Sequence, residues 1–169
     1  RAINNAMGDA LRALPKDKLQ ITHQTGESDF DKIKEQYQRA GWAAAAEVRP
    51  YISNMVGEFA KSDLIVCRAG ATTCAELAAA GKASLMIPLP TAADDHQRKN
   101  AEALQTAGAA RMILQKDLTG ESLANEIINL INSPEKISAM ETSAKKLARK
   151  DAAKVTVDLI EELKDGSRS

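Results

Sequence analysis

Cysteine and histidine are scarce in this sequence, which has two of each in 169 residues. Cys67 and Cys74 are too few for a disulfide framework, and two histidines cannot organise a Cys/His zinc cluster. A reducing, cytoplasmic setting fits that usage. Net charge is lacking as well, because 23 Lys and Arg balance 23 Asp and Glu. The summed field offers no long-range attraction to nucleic acid or to an acidic membrane surface, so any anionic ligand must be held by local groups. No apolar run reaches the roughly 18–20 residues of a spanning helix. The opening Arg1-Ala2-Ile3-Asn4-Asn5 has no signal-peptide character, and the expectation is a soluble, unexported protein.

The chain opens without methionine in a helical pattern and closes on Gly166-Ser167-Arg168-Ser169, which reads as a vector-derived tail. Residues 1–165 remain as one domain, long enough to bury a sizeable core without disulfides or metals.

What is present is an alternation of two periodicities. Ile3, Met7, Leu11 and Leu14 recur at helical spacing until Pro15. Residues 19–23 alternate like a strand, a turn follows at 26–28, and a helix is predicted from about 29 to 40. A strand over 45–49 stops at Pro50 and precedes a short helix over 53–61. Leu64-Ile65-Val66-Cys67 is a compact apolar run, followed by a small-residue helix over 71–80 that Gly81 ends. Ser84-Leu85-Met86-Ile87 repeats that form, a helix over 95–107 leads to a strand at 111–114, and the rest is predicted helical to about 163. Strands alternating with helices, the central ones apolar throughout, predict an α/β fold with a parallel sheet covered on both faces. A doubly wound domain begins with a central strand and its glycine turn, whereas this chain begins with a helix. Ligands of such sheets bind beyond the carboxyl ends of the strands, here the loops after residues 24, 49, 67 and 88.

Three segments at those loops carry candidate chemistry. In Cys67-Arg68-Ala69-Gly70-Ala71-Thr72-Thr73-Cys74-Ala75-Glu76 a strand passes through small residues into a helix N-terminus, whose free N–H groups suit a phosphate. Thr72 and Thr73 add hydroxyls, and Glu76, on the same helix face, can accept from two sugar hydroxyls. The alternative is that Gly70 and Ala71 only permit tight helix packing; Arg68 is either a phosphate counter-charge or a cap on the sheet edge. The second segment, Asp94-Asp95-His96-Gln97, opens a helix, with one acid as the N-cap rather than half of a metal site. His96 and Gln97 offer the donor and acceptor groups that sugar hydroxyls require. The third, Arg49-Pro50-Tyr51-Ile52-Ser53-Asn54-Met55, is a ledge that can hold a planar base, or else Tyr51 and Ile52 are core. His23 has no Ser or Cys nucleophile near it in sequence, and a structural or cleft-lining role is expected over a general base. Cys67 and Cys74, among apolar neighbours, read as core residues without redox function.

Taken in order, His23-Gln24-Thr25-Gly26, Pro50-Tyr51-Ile52-Ser53-Asn54-Met55, Cys67 to Ala71 with Glu76, and Asp95-His96-Gln97-Arg98-Lys99-Asn100-Ala101 resemble the MurG family of peptidoglycan glycosyltransferases. The likeness covers residues 1 to about 163 but only the C-terminal half of such enzymes. It implies the donor-binding, Rossmann-like half of the two-domain GT-B architecture, acting in transfer of N-acetylglucosamine from UDP-N-acetylglucosamine to lipid I, which gives lipid II. It also implies that Tyr51 and Ile52 hold uracil with Met55 beside them, that Ala71 to Thr73 meet the diphosphate, that Glu76 grips the ribose, and that Gln97, with His96, reaches the sugar. No catalytic residue, no cofactor and no metal is expected in this chain, and the expectation is that it carries no Asp-x-Asp motif. The resemblance further implies that the acceptor site and the base belong to an N-terminal domain and that the whole enzyme is peripheral on the cytoplasmic face of the inner membrane. A first strand and its glycine loop would precede Arg1, and their lack leaves two strand edges unpaired. Two other readings are a separate UDP-sugar-binding subunit that needs an acceptor-domain partner, and a UDP-N-acetylglucosamine epimerase; the cleft residues give the latter no acid and base pair.

Overall fold

The computed structural model describes residues 1–91 and 95–148. Among them α1 (Ala2–Ala10) is followed by β1 (Ile21–Gln24), α2 (Phe30–Arg39), β2 (Ala46–Arg49), α3 (Met55–Lys61), β3 (Leu64–Cys67) and α4 (Ala71–Ala80). The order continues with β4 (Ala83–Met86), α5 (His96–Thr106), β5 (Ala110–Met112), α6 (Gly120–Ile131) and α7 (Pro134–Leu147). The α/β class is as expected, and β3 and α4 begin and end where the apolar run and Gly81 place them. Gly81 closes α4 in the left-handed region at φ 62°, its N–H directed to Leu77 and Ala78 carbonyls.

The helical stretch expected from residue 115 onward is two helices. Thr119 caps α6 in a reciprocal box with Ser122, α6 ends at Asn132, and Pro134 starts α7 at a position where its missing N–H costs nothing. The expected continuation to 163 and the tail at 166–169 lie outside the described residues.

Every strand pairing is parallel, as expected, but the strands form two sheets rather than one. β1 pairs with β2, Ile21 opposite Ala46, while β4 lies between β3 and β5, with Leu64 opposite Ala83 and Ser84 opposite Ala110. The edge of β1 away from β2 and the edge of β3 away from β4 have no strand partner among the described residues. Residues of both strands line a cavity of about 1180 Å³.

β4 shows why helices cover both faces. Side chains alternate along a strand, so Leu85 and Ile87 join Leu11, Ile33, Trp42 and Leu123 in one buried cluster. Met86 turns the other way, to Cys74, Leu77 and Ala101 of α4 and α5. Trp42 is fully buried and its indole donates to the Leu11 carbonyl at 3.0 Å, which ties the end of α1 to the segment before β2.

Candidate functional site

The cavity's upper wall is built where β1, β2 and β3 end. Thr25 and Gly26, leaving β1, donate their N–H groups to the carbonyls of Arg49 and Pro50, each at 3.0 Å. Gln24 then accepts the Ile52 N–H on its side-chain oxygen at 2.9 Å. Arg49 is fixed in turn by Glu47 at 2.6 Å and Glu58 at 3.1 Å. The outcome separates the two ledge residues that the sequence treats alike: Ile52 is 7% exposed and lines the cavity with Met55, whereas Tyr51 is 70% exposed and lies outside that wall. Asn54 starts α3 by accepting the Gly57 N–H on its side-chain oxygen at 2.9 Å.

At the β3–α4 turn, Arg68, Thr73 and Glu76 line the same cavity. Gly70 is the N-cap of α4 and has no side-chain oxygen to occupy the N–H groups of Ala71, Thr72 and Thr73. Its φ of −64° is open to any residue. A Cβ there would come no nearer than 3.8 Å to Thr73 Oγ1, so neither backbone strain nor tight packing accounts for the glycine. Ala71 and Thr72 are exposed beside the cavity wall, and Glu76 is exposed with no ion pair among the described residues. Arg68 is engaged: Nη1 donates to the Ile87 and Pro88 carbonyls at 3.0 and 3.2 Å, and Nη2 to Gln115 Oε1 at 2.7 Å. That is the sheet-capping arrangement, and burial draws the guanidinium pKa down.

The α5 segment abuts the same turn without joining the cavity wall. Gln97 Oε1 accepts from the Leu89 N–H at 3.0 Å, and Asn100 Nδ2 donates to the Ala69 carbonyl at 3.0 Å. His96 is exposed at the first position of the helix. Asp95 occupies the N-cap position at φ 57°, a left-handed conformation that Asp tolerates. Its carboxylate makes no cap hydrogen bond and instead approaches Arg98 at 3.9 Å. Asp94 lies outside the described residues.

His23 sits at the cavity's edge, 9% exposed, with Nδ1 3.0 Å from the Tyr37 hydroxyl and Nε2 3.1 Å from Asn4 Oδ1. Asn4 Nδ2 donates to Thr25 O and Asp29 Oδ2. Its oxygen must therefore accept from His23 Nε2–H, which leaves Nδ1 to accept from Tyr37. Burial pulls the imidazole pKa to about 4, and a neutral, doubly bonded ring is a structural group. Asp29-Phe30-Asp31 corrects one reading, since the chain does have an Asp-x-Asp triplet. Asp29 is buried against Asn4 and Arg1, which hold its pKa down, while Asp31 is exposed on the first turn of α2. The two acids thus point to different surroundings. Cys67 and Cys74 pack in the α4–α5 layer, and burial pushes the Cys67 thiol up to about 12, far from a reactive thiolate.

Sequence reasoning gave no role to Gln24, Asn100 or Gln115, although Gln24 and Asn100 stand inside quoted motifs. Their signal is polarity: Gln24 and Asn100 are amides that meet main-chain groups where the chain has left a strand, and Gln115 accepts from Arg68.

Two parallel sheets layered with helices, and a cavity that runs along the gap between β1 and β3 to a glycine-capped helix, have the Rossmann-like architecture of the C-terminal half of a GT-B glycosyltransferase. The family model for the glycosyltransferase family 28 C-terminal domain matches residues 1–156, and the chain belongs to that family. It is 52% identical over 158 residues to the UDP-N-acetylglucosamine--N-acetylmuramyl-(pentapeptide) pyrophosphoryl-undecaprenol N-acetylglucosamine transferase of Geotalea daltonii, covering 92% of this chain and 43% of that protein. The protein of the same name from Geobacter sulfurreducens is 46% identical, with the same shares covered. The crystal structure of Acinetobacter baumannii MurG superposes with a TM-score of 0.86 at 36% identity, over 95% of this chain and 48% of that one. A UDP complex of Anabaena Alr3699/HepE, 19% identical with a TM-score of 0.65 over 95% of this chain and 44% of that one, shares the fold. The chain thus spans less than half the length of these relatives. Among the described residues no helix is long and apolar enough to cross a membrane.

Proposed function

We propose that this chain is the donor-binding half of an inverting glycosyltransferase that moves N-acetylglucosamine from UDP-N-acetylglucosamine to lipid I, giving lipid II for peptidoglycan. The observation that carries the reading is that the cavity along the gap between β1 and β3 gathers, at the carboxyl ends of these strands, Ile52, Met55, Thr73 and Glu76 beside the first turn of α4. The names of the transferases at 46–52% identity support the substrate pair.

In this reading Ile52 and Met55 give the uracil an apolar seat, with Tyr51 closing over it from the solvent side. Glu76 accepts from the ribose hydroxyls. The N–H groups of Ala71, Thr72 and Thr73 and the positive end of α4 meet the diphosphate. His96 and Gln97 face the sugar. Arg68 contributes by holding the turn to β4 rather than by direct charge. The acceptor hydroxyl forms a bond to the anomeric carbon with inversion, the bond to the diphosphate oxygen breaks, and the hydroxyl proton passes to a base in the other half of the enzyme. Charge that develops on the leaving UDP is stabilised by the α4 amides, which need no metal to do so. The acceptor domain also brings the enzyme to the cytoplasmic face of the membrane.

The gap between β1 and β3 belongs to the same reading. A strand that precedes α1 and crosses right-handedly to β1 would lie between these two edges, join both sheets, and place a second turn at the diphosphate.

Thermal melts of the full-length protein test the base seat, because a ligand that binds only the folded state raises the melting temperature. UDP is expected to protect more than GDP at equal concentration. Equal protection contradicts the assignment of Ile52 and Met55.

A further inference from the structure

We infer that Gln24 is a positioning residue for nucleobase recognition, acting through the main chain of the Tyr51–Ile52 ledge. The inference rests on the donor-binding reading above and adds a residue to it. Residues 50–54 run between β2 and α3 outside any helix or strand, so no ladder fixes them. Main-chain bonds hold the segment as far as the Pro50 carbonyl, which accepts from Gly26. The next tie is the Gln24 side chain, whose oxygen takes the Ile52 N–H at 2.9 Å.

The chemistry of that bond fixes the amide. A backbone N–H only donates, so the group facing it is Oε1, and Nε2 is turned away. Gln24 also lines the cavity with Ile52 and Met55 and is itself exposed. It is thus free of core packing, and its cavity-side role is separable from folding. A base that lies on Ile52 and reads main-chain groups needs those groups held in one place before it arrives, and binding to a pre-set ledge avoids the ordering cost. Gln24 supplies that order from the neighbouring strand end.

Two near-isosteric substitutions separate this role from others. Gln24→Met keeps the length and removes the acceptor, whereas Gln24→Glu keeps an acceptor for Ile52 N–H. On the full-length protein, titration calorimetry with UDP and CDP reads both affinity and base preference. Gln24→Met is expected to weaken UDP binding about three- to tenfold, the worth of one hydrogen bond, and to narrow the preference for UDP over CDP. Gln24→Glu is expected to stay within about threefold of the parent and keep the preference. A Gln24→Met protein with parental affinity and preference overturns the inference, as does Gln24→Glu losing as much as Gln24→Met. A parent protein that binds no UDP overturns the donor-site reading itself, and this inference with it.

Discussion

Asn100 Nδ2 donates to the carbonyl of fully buried Ala69 at 3.0 Å, so the helix that starts at His96 is pinned to the turn that starts α4. Residues far apart in sequence are thereby held against the same turn. Truncating Asn100 to Ala removes the bond and leaves a buried carbonyl without its partner. Urea unfolding should show a loss of about 1–2 kcal/mol. A change of a few tenths would mean that water replaces the amide and that Asn100 does not hold the turn.

Gly70→Ala separates packing from ligand approach. The backbone is in an ordinary region and the nearest protein atom to a new Cβ is 3.8 Å away. The folded protein should accept alanine with little net change in stability, because the freedom lost by the unfolded chain offsets alanine's weaker preference for an N-cap. What the methyl obstructs is the path of a diphosphate to the α4 amides, so UDP binding should fall while the urea midpoint does not. Unaltered UDP affinity would remove Gly70 from the donor site.

Glu76→Ala in the full-length protein should weaken UDP-sugar binding by about 1–3 kcal/mol, since it deletes charge-assisted hydrogen bonds to hydroxyls. Stability should barely move, because Glu76 is exposed and makes no ion pair among the described residues. Calorimetry that finds parental affinity rejects the ribose role.

The contrast between Glu76 and Arg68 shows how far the residues alone carry. β3, α4 and the glycine that ends it were legible because an apolar run, a small-residue helix and a left-handed cap are local signals. Whether Arg68 faces a ligand or a carbonyl was not, because the answer lies with Gln115, 47 residues away. Tyr51 and Ile52 are likewise adjacent, and nothing local in the sequence separates the buried Ile52 from the exposed Tyr51. The split into two sheets has no periodic signature, since β1 and β3 read as strands whether or not their outer edges are paired. The break between α6 and α7 did have a signal, Ser133-Pro134, which the helical periodicity on either side obscured.

His23 makes the fold sensitive to acid in a definable window. Its folded pKa is near 4 and its ordinary value is 6.5, so the unfolded chain takes up the proton first as pH falls. The network through Asn4 and Tyr37 is therefore at full strength above about pH 6.5, weakens as pH drops from there toward 4, and loses nothing more from this group below that. At roughly 1.4 kcal/mol per pH unit the total is about 3 kcal/mol. Asp29, whose pKa is lowered below 3.8 mainly by Asn4, loses its own contribution in a more acidic range and does not blur the window. Urea unfolding at intervals from pH 7 to 4.5 should thus show a steady decline in the parent protein. The decline should flatten in His23→Gln, which keeps an amide in the network but has no proton to gain. A parent profile that is level between pH 6.5 and 4.5 would mean that the imidazole charges without leaving its place, and the neutral tautomer drawn from the hydrogen bonds would be wrong.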